Sequence, residues 1–325
     1  MNLNPQWVGT SHNSDRRNSV YDSIPGLGWA ANRFVENSGD DLDTLFFINA
    51  LHSASSSAWA RMESLLYDEW HEYIEQRTAA LQLVDRAALS QDVNDIFQRA
   101  LDAHTQGLSP ADFSLDMSDP IGGLRQEYAA IEPRLIGFLS TYCFYTARYL
   151  MDGLPPAIRP LMAEYFYVIF DNLCIPIKRA YDAASQHAFN SPQLQVVRRL
   201  IPASRSISQQ VVENALRIYP NYRAIHGSLS DPAIRLSSIR DVETFQTYLW
   251  VCMLEGSLAP VEQELLPLCQ MLYPRLQVSG ELVRQLIHLL GVTVRLYLSP
   301  DELAYFQPQY KALWTLFSPD RFDRL

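Results

Sequence analysis

Apolar residues recur at three- and four-residue intervals from Leu42 almost to the end of the chain, the spacing of amphipathic helices. Between Leu42 and Gln82 that spacing places Leu45, Ile48, Ala58, Met62, Leu65, Leu66 and Ile74 within helix. A second helix is predicted over SQDVNDIFQRALDAH, with Ser90 as its cap and Gly107 just beyond its end. The segment GLSPADFSLDMSDPIGG (107–123) reads as a loop from its Ser, Pro, Asp and Gly content. A long apolar helix follows and breaks at Gly153 and Pro155-Pro156. The aromatic density of AIRPLMAEYFYVIFDNLCIPIKRAYDAASQ then predicts burial on more than one face. No alternating β pattern runs longer than a few residues, so the expected fold class is all-α.

Punctuation divides the chain in three. Residues 1–41 are a polar, turn-rich leader expected to be flexible. Residues 42–186 form an α-helical domain of unknown type. Loop signals in HAFNSPQ place a junction near 186–193, and residues 187–325 form a second helical domain. The segments TYCFYTARYLMDG (141–153) and TFQTYLWVCMLEG (244–256) share aromatic placement and an acidic-Gly ending. The intervals around them do not match, and two packed helices ending at a glycine resemble each other without common ancestry.

Of 325 residues 48% are hydrophobic, enough for a packed core, and a net charge of −10 argues against a nucleic-acid partner. The only lysines are Lys178 and Lys311. The remaining cations are arginines, whose planar fork suits carboxylates and propionates. Cys143, Cys174, Cys252 and Cys269 are widely spaced among apolar residues and predict reduced core thiols. With no apolar leader and no long uninterrupted apolar run, a cytoplasmic location without a membrane span is expected.

Candidate catalytic or metal chemistry is thin. Asp68, Glu69, His71 and Glu72, with Glu63 before them, have metal-site residue types, but only Asp68…His71 approximates the repeated Glu-x-x-His pattern of a di-iron bundle. His226 falls in a polar loop and His288 on an apolar helix, neither with a partner for haem. Gly122-Gly123 lacks a phosphate-loop context. No catalytic residue, no metal site and no enzymatic activity are expected. Trp59, Trp70, Tyr73, Tyr145, Tyr149, Phe166 and Tyr167 are either core or a docking face for another chain.

The region Leu194 to Phe317 carries a resemblance. LQVVRRLIPASRSISQQVVENALRIYP puts Leu194, Val197, Ile201, Ile207, Val211, Ala215 and Ile218 broadly on one side of a helix. Arg199-Leu200-Ile201 opens that helix, and Ser206, Ile207, Ala215 and Leu216 continue it. A polar loop follows, then Ser238-Ile239-Arg240-Asp241-Val242-Glu243, then Thr247-Tyr248, Glu255-Gly256-Ser257 and Leu272-Tyr273. In order and spacing this resembles a phycobiliprotein-type globin: a long helix, a C-x-R-D-x-E segment, an aromatic pair, an Ala-Gly-Asp turn and a closing tyrosine.

The resemblance implies a site. In that family the cysteine of C-x-R-D-x-E fixes an open-chain tetrapyrrole by a thioether. The aspartate accepts from pyrrole N–H groups, and the arginine pairs with a propionate. Carried over, Asp241 and Arg240 keep those roles, Arg235 assists one turn earlier, and Tyr248 belongs to the aromatic pair. Ser238 stands at the attachment position, and a hydroxyl is too weak a nucleophile for thioether-type linkage. Two readings stay open. One is a bilin held non-covalently by a protein working in bilin biosynthesis, phycobilisome assembly or its regulation. The other is a globin without chromophore that docks other proteins. Partners implied are phycobilisome or bilin-biosynthesis proteins, in a homo- or hetero-oligomer.

Overall fold

A computed structural model describes residues 44–69, 85–224, 227–274 and 276–318. Over these residues the chain is helical almost throughout, and its only strands are two residues each. It divides into two compact units, one running to Cys174 and the other beginning at Ile175. The division precedes the junction expected near 186–193, because the short helix after Ile175 packs with the C-terminal unit.

The N-terminal unit contains α1 (Thr44–Glu69), α2 (Arg86–Thr105), α3 (Pro110–Ile131), α4 (Leu135–Gly153) and α5 (Arg159–Cys174). On α1, Phe47, Leu51, Ala54, Ala58 and Met62 step by three and four and are all buried, and this stripe lies on α4. Helix α4 is buried over most of its circumference, from Leu135 to Met151. It is the axis of the unit, packing also on α3 and α5.

Two sequence expectations are corrected here. Residues 107–123 are not a loop beyond Ser109. Ser109 accepts from the Asp112 amide as an N-cap and Pro110 takes the first helical position, so the loop-like residues start α3. Phe113, Met117, Ile121, Arg125 and Tyr128 then repeat by three or four on its buried face. The cap of α2 is Asp85, whose carboxylate accepts from Ala87 and Ala88, while Ser90 lies inside the helix.

The C-terminal unit contains α6 (Ile177–Ser185), α7 (Pro192–Leu200), a 3₁₀ turn (Ile201–Ala203) and α8 (Ser204–Ile218). After a hairpin of β1 (Arg223–Ala224) and β2 (Gly227–Ser228) come α9 (Pro232–Glu255), a π turn (Pro260–Leu265), α10 (Leu266–Leu272), α11 (Gly280–Val294) and α12 (Pro300–Leu316). The continuous helix expected across 194–218 is interrupted because Pro202 has no N–H to give to the helical ladder. Helix α9 is central, touching α6, α7, α8, α11 and α12. In addition α8 packs on α11, and α7 on α12.

The two segments that look repeated end differently. Gly256 adopts φ 64 and returns its N–H to the Cys252 carbonyl, which Ser257 N–H also reaches. Gly153 is the last residue of α4, and the cap bonds there come from Leu154. Gly291 is needed for a third reason: a Cβ there would run into the Tyr310 ring, so α11 and α12 approach at that point.

Trp59, Tyr145 and Phe166 are buried and Tyr149 and Tyr167 are half-buried. Trp70 and Tyr73 lie outside the described residues, as do His71, Glu72 and His226, and the side chains of Asp68 and Glu69 are likewise not described. His288 is exposed, beside the Trp314 ring at 5.7 Å. All four cysteines are free thiols; Cys143, Cys252 and Cys269 are buried and Cys174 is half-buried. Burial pushes the Cys252 thiol up to about 12, so it is no nucleophile at neutral pH. Among the described residues no helix is long and apolar enough to cross a membrane, and no cluster of His, Cys, Asp and Glu could hold a metal.

Candidate functional site

The candidate residues Arg235, Ser238, Arg240, Asp241 and Tyr248 all lie on α9. Its start is set by the hairpin before it. Gly227 has φ 146, a conformation other residues rarely adopt, and a Cβ there would strike the Asp231 carboxylate. That carboxylate accepts the Ser228 amide at 2.6 Å and Pro232 begins the helix, so the first turn is anchored to the hairpin.

Along α9, Ser238, Asp241, Phe245 and Tyr248 step by three, four and three and share a face. Arg240 sits about 100° round from Asp241 on the helix. The Ser238 hydroxyl donates to the Ile234 carbonyl at 2.9 Å and is buried, so it is satisfied within its own helix. The Arg235 guanidinium points to Glu213 of α8, 2.7 Å away, in a solvent-exposed pair. Tyr248 is fully buried and its hydroxyl donates to Glu264 at 3.3 Å.

Arg240 and Asp241 are sequence neighbours on α9, and each one's charge acts on the other's titration. Arg240 is half-buried, with its Nη2 shut off from solvent. Burial pulls its guanidinium down to about 9, while the Asp241 and Glu243 charges act against that fall. Burial likewise raises the Asp241 carboxyl to about 7, opposed by the Arg240 charge and by a hydrogen bond from Tyr273. Asp241 is itself half-buried, and a donor there gains somewhat more than it would in open water.

A second charged group is one that sequence reasoning missed. Arg179 of α6 meets Glu255 at the end of α9 at 2.6 Å and also meets Glu264 in the π turn. Glu264 has only 3% of its side chain exposed, which makes it a buried carboxylate with Arg179 as its counter-charge and Tyr248 as a further donor. Burial acts to lower the Arg179 guanidinium, but Glu255 and Glu264 together hold it above its ordinary value. His187 Nε2 lies 2.7 Å from the Leu254 carbonyl, so two side chains preceding α7 clamp the C-terminal end of α9.

Of the five candidates, therefore, Arg240 and Asp241 are adjacent on α9, Arg235 pairs with Glu213, Tyr248 bonds to Glu264, and Ser238 is bonded to backbone. Tyr273, which in the sequence only closed the family pattern, is buried at the end of α10, and burial pushes its phenol well above the ordinary value. Comparison with protein-family models, with curated proteins and with solved structures found no match to this chain.

Proposed function

We propose that the C-terminal unit is a non-enzymatic, phycobiliprotein-related globin that holds an open-chain tetrapyrrole without a covalent bond, through Asp241 and Arg240. The observation that carries this reading is the half-buried Asp241 carboxyl, raised by burial and neighbouring the Arg240 guanidinium on α9. Pyrrole N–H groups are donors to such a carboxyl, and the Arg240 guanidinium offers a propionate a planar, two-pronged contact. The helix order supports it as well, since α7 and α12, at the two ends of the domain, lie against each other around the central α9. The pigment would be exchangeable, because Ser238 supplies no thiolate. That suits a role in bilin biosynthesis, phycobilisome assembly or its regulation, with those proteins as partners in a cytoplasmic homo- or hetero-oligomer.

Producing the full chain together with a bilin-forming pathway tests the reading. A coloured protein that gives up its pigment on acid denaturation, and an Asp241→Asn variant that stays colourless, are expected. A colourless wild-type protein refutes it.

A second reading, a chromophore-free docking domain, is favoured by Arg235, Ser238 and Tyr248 each having an internal partner. It predicts a colourless protein that retains antenna subunits or bilin-synthesis enzymes in a pull-down.

A further inference from the structure

The chain carries a net charge of −10, yet its last two helices are basic. Neither Leu282 to Pro300 nor Leu303 to Ser318 contains an Asp or Glu, while Arg284, His288, Arg295 and Lys311 fall within those spans. On α11, Arg284, His288, Gly291 and the capping Arg295 lie within about 60° of one another round the helix axis. Gly291 abuts the Tyr310 ring of α12, so this basic stripe borders α12. Trp314, one turn after Tyr310, completes the face. The Arg284 guanidinium stands over its ring, 4.1 Å from the centroid, and the His288 ring is 5.7 Å away. Arg284 also donates to the Phe317 carbonyl at 3.0 Å, which holds the guanidinium in place. His288, Arg295 and Lys311 are exposed. Among the described residues, Arg284, Arg295 and Lys311 meet no carboxylate. Val292 and Leu296, 48% and 78% exposed, extend the face with apolar surface.

A complementary surface is acidic and carries some apolar area of its own. The same chain presents one on α3. Asp112, Asp116, Asp119 and Glu127 lie within about 80° round that helix, and all four are exposed. The one cation of α3, Arg125, is buried on its opposite side. Leu115, 49% exposed, flanks the stripe. From the helical rise the acidic stripe runs about 22 Å and the basic one, Arg284 to Arg295, about 16 Å, so each can lie along the other.

We propose that the α11–α12 face docks the α3 face of a second copy of this chain. Every copy carries both faces and the two differ, so the contact is heterologous and leaves one face of each kind open on the pair. Tryptophan and arginine are enriched among the residues that anchor protein contacts. Arg284 is already oriented on Trp314, which lowers the ordering cost of binding. Anionic lipid is the other surface that a basic face attracts. Lipid recruitment draws on denser clusters of cations, however, and it leaves the acidic stripe of α3 without a role. The contact needs no pigment, so it stands or falls apart from the tetrapyrrole reading.

Sedimentation velocity of the full chain over a concentration series tests the contact. Wild type should associate as concentration rises, and raising salt from roughly 0.05 to 0.5 M should weaken that association about tenfold, because exposed charges are screened. The sign discriminates: copies of a chain with net charge −10 repel, so indiscriminate clustering would grow with salt instead. The double variant Arg295→Glu/Lys311→Glu should be monomeric, and so should Asp116→Lys/Glu127→Lys; all four side chains are exposed, and both variants should keep the helical circular dichroism of wild type. An equimolar mixture of the two should associate again, since an intact basic face then meets an intact acidic one. Wild type that stays monomeric at every concentration overturns the proposal. So does association that either double variant leaves unchanged, or a mixture of the two folded variants that stays monomeric. Co-sedimentation of a monomeric wild type with phosphatidylserine vesicles, lost in Arg295→Glu/Lys311→Glu, would assign the face to lipid and also overturn it.

Discussion

In the N-terminal unit a cluster of hydroxyls makes interior contacts around Tyr142, although that unit also buries a charged side chain, Arg125. Tyr142 of α4 meets Ser55 of α1 at 2.6 Å and Ser90 of α2 at 3.0 Å, and the Trp59 ring stands edge-on to both Tyr142 and Phe138. In the C-terminal unit, beside neutral contacts such as Gln246 with Ser208, an ion pair with a buried partner joins Arg179 to Glu264. Neutral hydroxyls cost little to bury once bonded, and an unpaired one costs modestly. A buried charge is costly to desolvate and very costly to orphan. The first arrangement fixes which helices meet. The second also stores an electrostatic imbalance that a ligand, a proton or a partner can read.

Breaking that difference should have graded consequences. Replacing Arg179 by Met orphans the Glu264 carboxylate and should destabilise the C-terminal unit by about 3–5 kcal/mol. Amide hydrogen exchange resolved by unit should show the loss there. Gly291→Ala drives a Cβ into the Tyr310 ring and should cost about 1–3 kcal/mol in urea denaturation, through overpacking rather than charge. On the N-terminal side Tyr142→Phe removes a hydroxyl shared by two serines and should cost about 1–2 kcal/mol.

A pH series sharpens the contrast further. Asp241 titrates near 7 in the folded chain against an ordinary 3.8, so between those values the folded state holds the extra proton. Its contribution to stability is therefore present at the acid end of the window and is lost as pH rises through 7. Urea midpoints at pH 5 and pH 8 should show this fall in wild type and a smaller one in Asp241→Asn. Arg235→Ala should be the mildest change, below about 1 kcal/mol, because the pair with Glu213 is exposed. A larger loss would mean that Arg235 supports α9 beyond this pair.

Helical periodicity made the all-α class legible, as did the adjacency of Arg240 and Asp241. Local signals failed where chain distance or compensating caps decided the outcome. Arg179 and Glu264 lie 85 positions apart, and no pattern on either helix announces the other. Ser109 and Pro110, read as loop residues, are the residues that start α3. Ser90, read as a cap, is instead a half-buried hydroxyl contact of Tyr142.

The π turn from Pro260 to Leu265 gives the Arg179 cluster a phase as well as a position. Here the Leu266 amide bonds back five residues to Val261, so the turn takes up one residue more than an α-helical turn would. Deleting a single residue from it would restore ordinary winding and rotate Glu264 by about 100° relative to α10. Arg179 would then keep only Glu255, and Tyr248 would lose its acceptor. The electrostatics of the unit thus hang on a count of residues around one turn, which no substitution of like for like would reveal.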